Sequence, residues 1–327
     1  MHVEELFKNI YRISVGLPNS PLKELNSYLI RDKERSLLID TGFRIKACRD
    51  ELVAGIEFLG EKPDAVDIFL THMHADHSGL AAEISGPGSQ IYLSKDDSVL
   101  LNGFLNARIN WFGSAERDIL AGMPNEIIEN MATINPALMF APVIHANFQI
   151  ANDGDIIQVG GYAFRCVLTP GHTPGHMCLW EEHNRIMFTG DHVLFDITPN
   201  ITAWPSVEDS LGSYLNSLSI IRNYPVSTAL PGHRKSGNFH SRVEELLKHH
   251  ENRLDDVTHI VKTAPGLSAY EVAGRMRWKI RASSWDEFPA AQKIFAVGEC
   301  MSHLDYLRLR GLVRREIDGA VFRYYLS

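Results

Sequence analysis

The sequence predicts an α/β protein in which two β-sheets pack together and are covered by helices. Three observations lead there. Short β-type runs and helical stretches are interleaved in two successive sets. The runs are bounded by turn residues, as NSYLI and SLLIDTG show. Histidine and aspartate recur just past the ends of these runs rather than inside helices. At 327 residues the chain has room for one large unit and a smaller one. Its 45% hydrophobic and 22% charged composition excludes disordered and collagen-like classes.

In chain order, strands are expected at 26–30 and 36–42, a helix over 46–59, and a strand at 66–70. A short helix near 79–84 and a strand at 90–94 follow. From about Asp96 to Ile144 the pattern turns helical, an insert between the two strand sets. Strands return in DIIQVGG, YAFRCVL, MCLW and RIMFTG, then in VSTALPG after a helix near 211–223. Past His240 come helical segments at 241–262, 268–278 and 290–311 and a hairpin turning at Asp318-Gly319. This order resembles a winged-helix module and divides the chain into 1–240 and 241–327.

Other functions are bounded by what is missing. Cys48, Cys166, Cys178 and Cys300 form no CxxC pair, so neither a disulfide framework nor a cysteine zinc knuckle is indicated. No apolar run approaches the ~20 residues that span a bilayer, and MHVEELFKNIYRISVG does not read as a signal peptide. A cytoplasmic, membrane-free protein is expected. The net charge of −8 does not suggest a nucleic-acid surface.

The chemistry is concentrated in LTHMHADHSGL, where His72, His74, Asp76 and His77 follow an apolar run. Imidazoles and carboxylates are what zinc and similar ions bind. On a turn at a strand end, His72 and His74 can face one ion while Asp76 and His77 face a second. Further strands also end in such residues: TPGHTPGH supplies His172 and His176, FTGD supplies Asp191, and PGH supplies His233.

The order HxHxDH, PGHTPGH, FTGD and PGH, with IDTG at 39–42, resembles the metallo-β-lactamase superfamily over about residues 10–240. Within it the set is closest to glyoxalase II-like dinuclear hydrolases. The resemblance implies an αββα sandwich with two divalent ions at one edge, zinc foremost and iron or manganese as alternatives. His72, His74 and His172 would hold the first ion. Asp76, His77 and His233 would hold the second, and Asp191 would bridge them. The implied reaction is attack of a metal-bridging hydroxide on a small ester, thioester or lactone, with Asp76 also moving the proton. Alternatives within the fold are a ribonuclease or phosphodiesterase and a mononuclear iron dioxygenase. A regulatory protein with a vestigial site is a further one.

Other residues carry lesser expectations. Asp40 is either an imidazole-orienting carboxylate or a turn residue. His176 is expected to be structural, His192 to point away from the cleft, and Cys178 to be a buried thiol. His249, His250 and His303 are expected at the surface. Phe104, Trp111, Phe112, Met139, Phe140 and Phe148, placed in the insert, would either line an apolar substrate pocket or pack ordinary helices. Residues 241–327 hold 14 Lys and Arg against 12 Asp and Glu. Their local cluster of Arg308, Arg310, Arg314, Arg315 and Arg323 suits a solvated face or homodimer contact better than phosphate binding.

Overall fold

The computed structural model of the chain describes residues 2–107, 115–130, 133, 135, 139–142, 147–279, 282 and 284–327, with the side chains of 104–107 and 115 left out. Trp111, Phe112 and the Phe104 side chain therefore lie outside the described residues.

The first sheet is seven-stranded among the described residues, in the order β1 to β7. Its antiparallel half is β1 (His2–Phe7), β2 (Ile10–Gly16), β3 (Glu24–Ile30) and β4 (Leu37–Ile39). Helix α1 (Lys46–Phe58) leads to β5 (Asp67–Phe69), which lies parallel to β4. Short helices α2 (Ala75–Ser78) and α3 (Ala81–Ile84) precede β6 (Ile91–Ser94), and α4 (Lys95–Ala107) follows it. In the insert lie α5 (Ala115–Leu120) and α6 (Asn125–Glu129), before β7 (Phe148–Ala151) pairs parallel to β6. Phe148 is thus a strand residue, not part of a helical insert. Its register opposite Ile91 decides this, a long-range pairing that local periodicity does not report.

The second sheet runs β12-β11-β10-β9-β8. It comprises β8 (Ile156–Val159), β9 (Tyr162–Leu168), β10 (Met177–Glu181) and β11 (Ile186–Gly190), joined through α7 (Ser210–Ile221) to β12 (Thr228–Pro231). Strand β10 is buried along its whole length. Met177 and Leu179 face the core between the sheets, while Cys178 and Trp180 face the outer helical layer. Its apolar run Met177–Trp180 follows from burial on both faces. Each fully buried side chain of this size contributes about 2 kcal/mol.

Three cores define the layers. Tyr28, Ile39 and Phe69 meet Phe164, Phe188 and Leu230 between the sheets. Leu52 and Ile56 of α1 cover the outer face of the first sheet. Leu211 and Leu218 of α7, with Val243 and Leu246 from the start of α8 (Phe239–Thr263), cover the second. This is the helix, sheet, sheet, helix order predicted.

The C-terminal module continues from α8 through α9 (Ala269–Ala273) and α10 (Ala290–Leu309) to the hairpin β13 (Val313–Asp318) and β14 (Val321–Leu326). Asp318 pairs with Val321, so the two turn residues are Gly319 and Ala320, one position beyond the expected turn. Ala121, Met123 and Ile127 of the insert share a core with Val272, Leu304 and Tyr324 of this module. The Tyr270 amide also donates to the Ala121 carbonyl at 2.9 Å. The described part of α5 and α6 therefore packs on the module. Phe140 packs on Phe43, with ring centroids 4.7 Å apart, and Met139 is exposed.

Candidate metal centre

Every expected metal-binding position lies just beyond a strand end, on one edge of the sandwich. His72 and His74 occupy the turn after β5, and Asp76 and His77 lie on α2. His172 stands in the loop after β9, Asp191 follows β11, and His233 follows β12. The structure brings all seven together. Donor atoms of His72, His74 and His172 lie within 4.8 Å of one another, as do those of Asp76, His77 and His233. His72, His77 and Asp191 form a third such group, which joins the two triads.

The orientation of the imidazoles follows from their outer hydrogen bonds. Asp40 Oδ2 accepts from His77 Nδ1 at 2.8 Å, and the Glu24 carbonyl accepts from His233 Nδ1 at 2.7 Å. In the neutral rings both Nε2 atoms are then lone-pair acceptors. Yet these two atoms face each other at 3.3 Å. Two lone pairs that close need a positive charge between or beside them, a proton or a metal ion. His172 Nδ1 is likewise committed, donating to the Asn200 carbonyl at 2.9 Å, which leaves Nε2 buried without a hydrogen-bond partner. Asp191 Oδ1 is also buried without one. His72 Nε2 and His74 Nδ1 stand 3.0 Å apart.

Burial and three carboxylates set the electrostatics of the cluster. Burial opposes charging of His77, but Asp40, Asp191 and Asp76 outweigh it and raise the imidazole to about 10. His233 is raised too, with burial overcome by Asp191 and Asp76. Burial would raise Asp76, yet His77 and His233 hold it below the usual carboxylate range. His72 and His74 are pushed well below the ordinary histidine value, chiefly by burial. His72 and His74 therefore face the buried space as neutral imidazoles, while the carboxylates beside His77 and His233 hold positive charge on those two rings, where a divalent ion would displace the protons. That donor set fits borderline divalent ions, since it supplies nitrogen and carboxylate oxygen and no thiolate.

The metallo-beta-lactamase superfamily model matches residues 24–233, well over half of the chain and a span that encloses the whole cluster. The chain belongs to the metallo-beta-lactamase superfamily. A metallo-beta-lactamase family protein from Thermus thermophilus is similar over 99% of this chain and 100% of its own, with 27% identity and a TM-score of 0.83. A beta-lactamase domain protein from Burkholderia ambifaria has the same fold, with 23% identity, a TM-score of 0.80 and coverage of 99% and 95%. Among curated relatives, the lactamase-like protein nscB of Neosartorya fischeri is 25% identical over 264 residues. That match covers 78% of this chain and 62% of the relative, so the chain spans about three fifths of that protein's length.

Within this metallo-beta-lactamase framework the supporting residues were only partly legible. Asp40 has both roles considered for it. It orients His77 and accepts from the Thr71 amide and hydroxyl at 2.9 and 2.8 Å, while its own φ of 59° makes the turn. His176 is structural: Nδ1 lies 2.8 Å from Thr169 Oγ1, and Nε2 accepts from the Asp191 amide at 3.2 Å. Cys178 is a buried free thiol, with its pKa pushed up by burial to about 12. His192 is fully buried between the rings of His176 and Tyr214.

One carboxylate was missed altogether. Asp97 is fully buried at the start of α4 and accepts from the Met73 amide at 2.9 Å, Thr173 Oγ1 at 2.7 Å and the Gly175 amide at 2.7 Å. It ties the HxHxDH turn to the PGHTPGH loop. Burial pushes its carboxyl up to about 6, against these donors, so it is ionised at neutral pH. Nothing in KDDSVLL distinguishes it from the exposed Asp96 beside it.

The expected surface positions of His250 and His303 are overturned. Both are fully buried, and His303 donates from Nδ1 to the Glu299 carbonyl at 2.7 Å. His250 Nδ1 lies 3.2 Å from His303 Nε2. The packing of α8 against α10 buries them, which single-helix periodicity cannot foresee. The arginine cluster is neutralised locally, since Arg308 and Arg315 sit on Asp305, Arg310 on Asp209, Arg314 on Glu316, and Arg323 on Glu271. No helix among the described residues is long and apolar enough to cross a membrane.

Proposed function

We propose that the chain is a dinuclear, glyoxalase II-like metallohydrolase acting on a small ester, thioester or lactone. The observation that carries this reading is the 3.3 Å approach of His77 Nε2 and His233 Nε2 beside Asp76 and Asp191, where a positive charge is required. In this reading His72, His74 and His172 hold one ion and Asp76, His77 and His233 hold the other. Asp191 serves both, with Oδ2 3.7 Å from His172 Nε2 and Oδ1 3.5 Å from the Nε2 atoms of His77 and His233. Zinc suits these donors best, with iron and manganese as alternatives. A bound pair of such ions would supply acidified water and polarisation of the scissile carbonyl.

The chain's own residues do the rest. Asp40, Thr71, the Glu24 carbonyl and the Asn200 carbonyl fix the orientations of the His77, His72, His233 and His172 rings. Asp76 Oδ2, 3.2 Å from His233 Nε2, is placed to receive a proton from the attacking water and return it to the leaving group. No serine or cysteine nucleophile is required. We assign the C-terminal module to shaping this edge and to a homodimer contact rather than to nucleic acid, on the strength of the paired arginines.

Elemental analysis of the purified protein, combined with a panel of esters, thioesters, lactones, phosphodiesters and RNA, tests the reading. Two metal equivalents and turnover of an acyl substrate are expected. Turnover of RNA alone would move the chain to the phosphodiesterase reading, and a protein that takes up no divalent metal would sink the proposal.

A further inference from the structure

The outer hydrogen-bond partners of the clustered imidazoles differ in origin. Those of His72, His77 and His233 come from the sandwich itself: Thr71, Asp40 and Glu24. The partner of His172 does not. It is the carbonyl of Asn200, and the segment carrying it is strapped to α10 of the C-terminal module.

Several bonds make that strap. Asn200 Nδ2 donates to Glu299 Oε2 at 3.1 Å and to the Phe295 carbonyl at 3.2 Å. Ser302 Oγ donates to the Ile201 carbonyl at 2.6 Å, and the Ala203 amide donates to the Gly298 carbonyl at 3.0 Å. Gly298 permits the approach, because a Cβ there would fall on Thr202 Oγ1. Beyond the strap, Trp204 Nε1 donates to the His172 carbonyl at 3.0 Å, and its ring stacks on His74 at 6.0 Å between centroids. Glu299 is itself buried and faces Arg253 Nε at 3.4 Å, so its carboxylate is fixed from both sides.

We propose that Asn200 and Glu299 are positioning residues for the first metal position: the C-terminal module, acting through the Glu299–Asn200–His172 relay, sets the orientation of the His172 ring. The inference rests on the assignment of His172 as a metal ligand made above. A buried Nδ1–H bond fixes which nitrogen faces inward and how the ring is turned, and loss of such a partner weakens metal binding by roughly 10–100-fold. Loss of the Asn200 side chain removes the two bonds that hold residue 200 itself to α10, while leaving its carbonyl chemically intact. The effect should therefore fall on orientation, at one ion and not the other.

The experiment compares the full chain with its Asn200→Ala, Asn200→Asp, Glu299→Gln and His172→Ala variants, loaded with Co(II). The readouts are chelator-competition affinity for each equivalent, the visible cobalt spectrum and the melting temperature. Asn200→Ala is expected to weaken one equivalent about tenfold, shift one component of the spectrum and leave the second equivalent unchanged. Asn200→Asp, which sets a carboxylate against Glu299, should be at least as severe. Glu299→Gln keeps an acceptor for Asn200 Nδ2 and should stay near the parent. Equal weakening of both equivalents, in step with a lower melting temperature, would mark a general structural role and overturn the proposal. So would unchanged affinity and spectrum in Asn200→Ala while His172→Ala loses one equivalent. If His172→Ala keeps both equivalents, the metal assignment itself fails and the relay falls with it.

Discussion

Asp191 stands with one oxygen toward each triad, so its replacement affects both at once. The Asp191→Ala chain is expected to lose metal and all detectable turnover while its far-ultraviolet circular dichroism stays that of the parent. Parental activity in that variant would refute the assignment. Asp97 makes a different prediction, because it touches none of the donor atoms. Asp97→Ala would strand two amides and a hydroxyl in a buried space, a loss of about 2–4 kcal/mol that denaturant titration would register together with a lower metal content. Parental stability in this variant would show that water replaces the carboxylate. The contrast between the two residues is also one of legibility. Asp191 is announced by FTGD in front of it, whereas Asp97 is an ordinary acidic residue at a helix start until the fold buries it.

At the level of elements, the site exists because parallel strands end together. β4, β5 and β6 deliver Asp40, the histidine turn and Asp97, and β11 and β12 deliver Asp191 and His233. This is where open parallel sheets commonly present ligand-binding residues. These ends approach closely at Gly232, where a Cβ would stand 2.7 Å from Asp191 Oδ1 and 2.8 Å from His77 Cε1. Gly232→Ala should thus displace the donors without unfolding the strand. The expected outcome is at least a tenfold weaker metal affinity with a small change in melting temperature. Unaltered affinity would mean that the loop after β12 yields more readily than its contacts suggest. Strands with regular burial, such as β9 and β10, were readable from their runs, but β7 was not, since its partner β6 lies across the insert.

Across the whole molecule, burial of histidines outside the metal cluster lowers stability in acid. Burial lowers His303 to about 3, below the ordinary value near 6.5. In the window between, the unfolded chain binds a proton that the folded chain refuses, so stability is full above about 6.5 and falls as pH drops. At pH 5 the loss from this group alone is about 2 kcal/mol. His250, depressed in the same direction chiefly by burial, adds to it. Melting curves from pH 8 to pH 5 check this, and His303→Gln should flatten the acid limb. A parent whose melting temperature is level across that range would contradict the buried pair.

Residue types and spacings alone determined that this chain carries a dense set of nitrogen and carboxylate donors, in the order of a metallo-β-lactamase fold, and that two sheets would be covered by helices. Short-range pattern suffices there, because a metal-ligand motif and a period-two strand are both written within a few positions. Only the tertiary structure decided which neighbours are buried: Asp97 but not Asp96, and His303 beside His250 rather than in solvent. It also decided that α5, α6 and the Asn200 segment lean on the C-terminal module. Those outcomes depend on contacts between residues as much as about 200 positions apart, and the free energy that selects them is the burial of shared apolar surface, which no local stretch of sequence contains.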